Sequence, residues 1–251
     1  MAGWIVLVTL LANVGGTGLG GLLGVLLRRA SKRGTAALLS FTGGIMLAVV
    51  CFDLVGGALR PAGAEIPAAP LLVCAGILGG YAAVGLLDAL TERLTAARGN
   101  RLLRSGALLA AAMALHNFPE GVVIGAGYAT DPGSLVTAGP GFLLAVLIGV
   151  HDVPEGMAVA APLAAGGMGR VRAVLVTAAT GLPTVAGALL GWGLGGVGPL
   201  ALSLALSFAS GAMLYMVLEE LLPAGTRLHP EGGGALPALA GLLAGLLLTG
   251  H

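Results

Sequence analysis

The 251-residue chain is 57% hydrophobic and only 9% charged, and its mean hydropathy is +1.00. Such a composition excludes a soluble domain, and it predicts a single polytopic membrane domain over residues 1–251 in contact with a lipid bilayer. The formal net charge of +1 excludes the basic field that nucleic-acid binding requires.

Apolar segments of about 20 residues, the length that crosses a bilayer as a helix, recur along the chain. They predict an all-α integral membrane protein with eight transmembrane helices joined by short connections that carry breaker or charge signals. Cys51 and Cys74 have no repeated spacing and are expected to be small core residues. The predicted helices, numbered 1 to 8, span residues 3–27, 36–59, 69–91, 106–130, 137–164, 171–195, 199–222 and 235–250.

The basic residues divide unevenly among the seven connections between these helices. Only Arg60 lies in an even-numbered connection. Because cytoplasmic loops retain Lys and Arg, the odd-numbered connections are predicted to be cytoplasmic, which puts both termini on the outer side. The basic residues in or beside the odd connections are Arg28, Arg29, Lys32, Arg33, Arg93, Arg98, Arg101, Arg104, Arg170, Arg172 and Arg227.

Predicted helices 2 and 7 carry a similar run of residues. The first run is GIMLAVVCFDL from Gly44 and the second is GAMLYMVLEEL from Gly211, so Asp53 and Glu220 occupy the same place. Since the two helices are predicted to run in opposite directions, the pattern favours the inverted repeats found in transporters. Asp53, Glu219 and Glu220 are candidate pathway residues, and so is Thr184 of predicted helix 6. Snorkelling to the membrane interface is the alternative for the three acids.

Predicted helices 4 and 5 share the motif His-x-x-Pro-Glu-Gly, as HNFPEG over 116–121 and HDVPEG over 151–156. Histidine and glutamate four residues apart lie on one helix face, so each helix offers an imidazole and a carboxylate. Each ionised side chain at the membrane centre costs about 2.5–3.5 kcal/mol on insertion scales, and a bound cation offsets that cost. The candidate ligands are His116, Asn117, Glu120, His151, Asp152 and Glu155.

Mixed imidazole and carboxylate ligation favours zinc, with cadmium, iron and manganese as alternatives, over magnesium or calcium. The metal is expected to be the transported substrate, and no cofactor is expected. Pro119 and Pro154 cannot donate to the carbonyls of Leu115 and Val150, so each helix is predicted to open locally beside its ligands. The alternative is that the motif residues are buried polar groups that hydrogen-bond between helices.

The paired motifs, the eight helices and the outward termini resemble the ZIP family of divalent metal-ion transporters, in its prokaryotic form, over essentially the whole chain. The resemblance implies a 3+2+3 helix arrangement with inverted repeats. It also implies a homodimer and uptake of metal into the cytoplasm across a bacterial inner membrane. The implied mechanism is alternating access, in which helices 1, 4, 5 and 6 slide against helices 2, 3, 7 and 8.

Ligand roles are also implied by the resemblance. A first metal is held by the two histidines and two glutamates of the motifs, and a second uses Asn117, Asp152 and the same glutamates. Thr184 stands where many relatives have a helix 6 glutamate, so a fully occupied second site is not expected. The connection between helices 3 and 4 is short and lacks histidine, which gives no support to metal sensing by that loop.

Two other functions are compatible with a metal site in a membrane. A membrane-embedded hydrolase uses a metal to activate water, but the sequence has no His-Glu-x-x-His motif and no third histidine within a predicted helix. A sensor binds metal without moving it, and the repeat pattern argues against that. The expected class is therefore a transporter and not an enzyme.

Overall fold

The structure, a computed structural model, describes residues 2–26, 32–61, 65–66, 68–95, 101–130, 139–230 and 234–249. Within these ranges the side chain of His116 lies outside the description, and so do those of some residues near helix ends. Every regular element in the described ranges is a helix, and none is a strand.

Eight helical segments follow one another in the described part of the chain, and we number them α1 to α8. Seven of them, α1 to α7, are long and apolar enough to cross a membrane. The last, α8, is apolar but has 15 residues, fewer than the roughly 20 that a crossing needs. The all-α membrane class is confirmed, and the eighth crossing stays a prediction. The segments are α1 Ala2–Leu26, α2 32–59, α3 Ala69–Thr95, α4 Arg101–Thr130, α5 Pro140–Ala165, α6 Arg170–Val197, α7 Pro199–Leu228 and α8 Ala235–Thr249.

Several of these helices are irregular. The irregularities do not occur at the prolines of the motifs, where local opening was predicted. Both α4 and α5 continue through Pro119 and Pro154, so the expected local opening interrupts neither helix. The α6 helix instead breaks between its two parts, Arg170–Ala179 and Leu182–Val197. Wider π-helical turns occur in three others, at Leu10–Val14 in α1, Val49–Leu54 in α2 and Met216–Leu221 in α7.

The chain divides into two compact units, which are described separately. The first unit contains α1, α4, α5, α6 and the end of α3 from Val84 onward, and the second contains α2, the rest of α3, α7 and α8. In the first unit α5 packs against α1 and α4, and α4 packs against α6. In the second unit α2 packs against α8 and against the end of α7.

Glycines bring the helices of the first unit into backbone contact. A Cβ on Gly20 of α1 would overlap the carbonyl of Val153 in α5, and a Cβ on Gly187 of α6 would overlap the carbonyl of Phe118 in α4. The α1–α5 contact is therefore repeated by the α6–α4 contact. The correspondence extends to a further pair of contacts, Gly24 with Met157 and Gly191 with Val122.

The second unit repeats its own contacts in the same manner. Gly44 of α2 meets the carbonyl of Ala238 in α8, and Gly211 of α7 meets the carbonyl of Ile77 in α3. Gly44 and Gly211 are the residues that begin the two similar runs. The π-helical turns of α2 and α7 also match, since Asp53 and Glu220 are each the fifth residue of a six-residue turn.

Large apolar side chains lie on the outside of the long helices other than α4, where lipid can cover them. Leu71 and Leu78 of α3, for example, are 75% and 69% exposed. Cys51 and Cys74 are also exposed, so the expectation that they are core residues was wrong. Since lipid is as apolar as a protein core, a small thiol has no reason to be buried away from it.

Candidate metal centre

The two motifs lie in the middle of the first unit, between two apolar clusters. Along α4 the motif falls between the buried residues Met113 and Ile124, and along α5 it falls between Ile148 and Val159. Met113 and Val159 belong to one cluster, and Ile124 and Ile148 belong to the other. The polar motif residues are thus flanked by tightly packed apolar side chains on both sides.

Three motif residues come together at the contact between α4 and α5. The Nε2 atom of His151 lies 2.8 Å from Oε1 of Glu120 and 3.8 Å from Oδ1 of Asp152. One potential ligand atom from each of the three residues lies within 4.8 Å of the others. His151 is 3% exposed, and both carboxylates are fully buried. A cation at this point would be within reach of one imidazole and two carboxylates.

Asp152 is buried with too few hydrogen-bond donors around its carboxylate. Within the described part of the chain, neither carboxylate oxygen of Asp152 accepts a hydrogen bond. Glu120 and Glu155 are also fully buried. Buried carboxylates are stable when they are paired, hydrogen-bonded or bound to a metal. The cluster therefore has the chemistry of a cation site.

Asn117 links the motif of α4 to α6. Its side chain is fully buried, and Nδ2 donates a hydrogen bond of 2.7 Å to the carbonyl of Thr180, at the break in α6. Oδ1 of Asn117 accepts no hydrogen bond from any described residue. The backbone of His116 is helical, but its side chain lies outside the description, so its role as a ligand stays a prediction.

The candidate pathway residues belong to both units. Thr184 is fully buried in the first unit, on the second part of α6. Asp53, Glu219 and Glu220 lie in the second unit, within the matching π-helical turns of α2 and α7. Glu219 is exposed and accepts a 2.7 Å hydrogen bond from the hydroxyl of Tyr81. Their part in a pathway stays a prediction.

Three buried polar residues of α1 were missed by the sequence reasoning, Thr9, Asn13 and Thr17. Asn13 and Thr17 of α1 are fully buried, and Thr17 Oγ1 donates to the carbonyl of Asn13 at 2.8 Å. Asn13 is the only amide side chain in an otherwise apolar span. An intramembrane polar side chain of that kind marks a functional candidate by default, and this signal was available in the sequence.

These observations define an integral membrane protein with a buried imidazole and carboxylate cluster inside one helical unit. A family model described as ZIP Zinc transporter matches residues 92–250, more than half of the chain. The chain is similar over most of its length to proteins named Zinc transporter ZupT. The one from Enterobacter sp. (strain 638) is 32% identical over 244 residues, which cover 94% of this chain and 92% of that protein.

Two further similar proteins of the same name come from other bacteria. The protein of Chlorobium limicola is 33% identical over 256 residues, covering 95% of this chain and 92% of that protein. The protein of Corynebacterium glutamicum is 34% identical over 249 residues, covering 92% and 90%. The chain therefore belongs to the ZIP family. Membership in this transporter family confirms the expected class, a transporter and not an enzyme.

Proposed function

We propose that this protein moves divalent transition-metal ions across the membrane, with zinc as the first substrate, through the centre on α4 and α5. The observation that carries the proposal is the buried contact of His151 with Glu120 and Asp152. Family membership supports the same substrate class. The proposed ligands are the six motif residues His116, Asn117, Glu120, His151, Asp152 and Glu155.

The ligand chemistry suits zinc and its neighbours. Imidazole nitrogen and carboxylate oxygen together suit zinc, iron and manganese, and cadmium is a close analogue of zinc, whereas magnesium and calcium take oxygen shells. Thr184 offers a hydroxyl where many relatives have a carboxylate, and the fully buried hydroxyl finds no hydrogen-bond partner among the described residues. We therefore propose a single tightly held metal and not a binuclear centre.

The repeated helix contacts support alternating access by inverted repeats. The α1–α5 contact corresponds to α6–α4, and Gly44 and Gly211 make corresponding contacts in the second unit. Transporters built from such repeats hold substrate near the bilayer midplane and expose it to each side in turn. Apart from the end of α3, the two units group the helices as that mechanism requires. We propose that the metal enters the cytoplasm.

Contacts within each unit also support the proposed orientation. In the second unit Arg33 Nε donates to His229 Nε2 at 3.0 Å, which brings the first and seventh connections together. In the first unit a Cβ on Gly166, at the end of α5, would overlap Leu103 at the start of α4, which joins the third and fifth. These are the connections with the basic residues, so we propose that they face the cytoplasm of a bacterial inner membrane.

The proposal is tested by zinc entry into liposomes that hold a zinc-sensitive dye and contain the purified protein. We expect wild type to admit zinc, and Glu120→Ala and His151→Ala to lose most of that flux. Glu65→Ala and His229→Ala remove an acid and a histidine outside the centre, and should behave as wild type. Circular dichroism of each variant checks that helix content is unchanged.

Two outcomes contradict the proposal in different ways. Equal flux in wild type, Glu120→Ala and His151→Ala shows that the metal passes elsewhere. Saturable zinc binding by wild type without any flux favours the sensor function. Repeating the assay with cadmium, manganese and ferrous ions ranks the metals.

A further inference from the structure

The break in α6 leaves one buried backbone carbonyl without its usual partner. In a continuous helix the carbonyl of Thr180 accepts a hydrogen bond from the backbone N–H four residues later, or from the one three residues later in a tighter turn. Pro183 has no N–H, and the N–H of Thr184 bonds instead to the carbonyl of Gly181 at 3.3 Å. Neither backbone donor therefore reaches Thr180.

The side chain of Asn117 supplies the missing donor. The atom of Asn117 that lies 2.7 Å from the Thr180 carbonyl is Nδ2, and this assignment follows from chemistry, because a carbonyl only accepts. The amide is therefore held in one of its two orientations. Oδ1, at the other end of the amide, is buried and accepts no hydrogen bond from a described residue, which leaves it available to a cation.

The matching position in α1 is satisfied by a different group. By the repeated glycine contacts, Asn13 and Thr17 correspond to Thr180 and Thr184, and Gly16 corresponds to Pro183. There Thr17 Oγ1 donates to the carbonyl of Asn13 at 2.8 Å. No donor is needed from α5.

The α5 residue at the equivalent place is an acid. Asp152 corresponds to Asn117 in the paired motifs, and a Cβ on Gly16 would lie 3.0 Å from Cβ of Asp152. An ionised carboxylate cannot donate a hydrogen bond to a carbonyl. In the α1–α5 pair the donor is Thr17, and Asp152 keeps both carboxylate oxygens for other partners. In the α6–α4 pair the amide of Asn117 is the donor, and the hydroxyl of Thr184 has no partner among the described residues.

We propose that Pro183 and the carbonyl of Thr180 are a positioning device, which holds the amide of Asn117 so that Oδ1 faces the metal. The inference rests on the proposed function, since it assigns how one ligand of that centre is oriented. Pro183 acts through Asn117 and does not itself contact the metal. It follows that Asn117 and Asp152 are not interchangeable, although the two motifs are otherwise alike.

The first test exchanges the two side chains. The double variant Asn117→Asp/Asp152→Asn has the composition and net charge of wild type. Its acid at 117 cannot donate to the Thr180 carbonyl, and the carbonyl at the matching place in α1, that of Asn13, already accepts a hydrogen bond from Thr17. We expect its dissociation constant for zinc, measured by competition with a chromophoric chelator, to rise about tenfold or more, which corresponds to at least 1.4 kcal/mol. Affinity equal to wild type overturns the proposal.

The second test asks whether Pro183 acts through Asn117. In a double-mutant cycle, Pro183→Ala is expected to weaken zinc binding about tenfold in the wild-type background and to have almost no effect in an Asn117→Ala background. Additive effects mean that Pro183 has a general structural role, and they overturn the proposal. Pro162→Ala, which removes another proline from the interior of a helix, is the matched control and should bind zinc as wild type does.

The two tests are separable from the proposed function. Wild-type zinc flux that disappears in Glu120→Ala supports the function, whatever the exchange variant does. If that flux is present and the exchange variant binds zinc normally, only the positioning device is wrong. If Pro183→Ala loses helix content, the exchange variant, which leaves the break in α6 intact, decides the question.

Discussion

Replacing Gly187 with alanine is expected to destabilise the first unit by forcing α6 away from α4. The new Cβ would overlap the carbonyl oxygen of Phe118 and approach the backbone of Gly121 and Val122 to 3.1 and 3.0 Å. Backbone atoms cannot move aside as a side chain can, so the helices must separate. Gly193, in the same helix, has no atom within 4 Å of an added Cβ, and Gly193→Ala is the matched control.

The expected difference between the two variants can be estimated from packing. Adding a methyl group to a filled contact costs about 1–3 kcal/mol, whereas the gain in helix propensity, about 0.5–1 kcal/mol, is common to both and cancels. Gly187→Ala should therefore be less stable than Gly193→Ala by about 1–3 kcal/mol, or at least about 2–4 °C in midpoint for a protein of this size.

Unfolding of both variants is followed by circular dichroism, in mild detergent titrated with dodecyl sulfate and with a chelator present so that bound metal does not contribute. Gly187→Ala should unfold at the lower dodecyl sulfate fraction. Equal stability of Gly187→Ala and Gly193→Ala would refute the close contact between α6 and α4, and with it the matched helix pairs.

Three further predictions concern the metal. Zinc at about 100 times its dissociation constant should stabilise wild type by about 2.7 kcal/mol. Glu120→Ala should lose this stabilisation, and Glu65→Ala should keep it. Equal stabilisation of all three proteins would place the zinc elsewhere. Thr184→Glu should lower the midpoint of metal-free unfolding, because it buries another carboxylate, and should raise zinc stoichiometry from one to two. A variant that still binds one zinc would contradict the role given to Thr184, and two zinc ions in wild type would contradict the single-metal proposal. The double variant Cys51→Ser/Cys74→Ser should keep the KM for zinc uptake within about twofold of wild type, since both thiols are exposed and lie outside the centre. A rise in this KM of about tenfold would put a thiol on the pathway.

Most of the helices could be predicted from the sequence, because in lipid a long apolar run has helix as its only means of satisfying its own backbone. The start of α3 at Ala69 and the start of α7 at Pro199 match the predicted starts. The α4 helix begins at Arg101, five residues before the predicted start at 106, since a hydropathy pattern marks the apolar part of a helix and not its polar end. The contact between Glu120 and His151 follows from the paired motifs once α4 packs on α5.

The irregular parts of the helices could not be predicted, because long-range packing decides them. Pro119 and Pro154 were expected to open their helices locally, but α4 and α5 continue through both. The break in α6 occurs instead where Gly181 packs against the backbone of Asn13 in α1, with 2.9 Å between an added Cβ and the Asn13 carbonyl carbon. The contact with α1 leaves no local pattern, but Gly181 and Pro183 are helix-breaking residues, and this signal was available in the sequence.

Zinc K-edge X-ray absorption on the zinc-loaded protein tests the central claim most directly, because it reports the atoms bound to the metal. Binding at the centre on α4 and α5 predicts a first shell of nitrogen and oxygen at about 2.0–2.2 Å, with imidazole scattering that weakens in His151→Ala. Sulfur at about 2.3 Å, or a spectrum that His151→Ala leaves unchanged, would contradict the assignment of the metal to this centre.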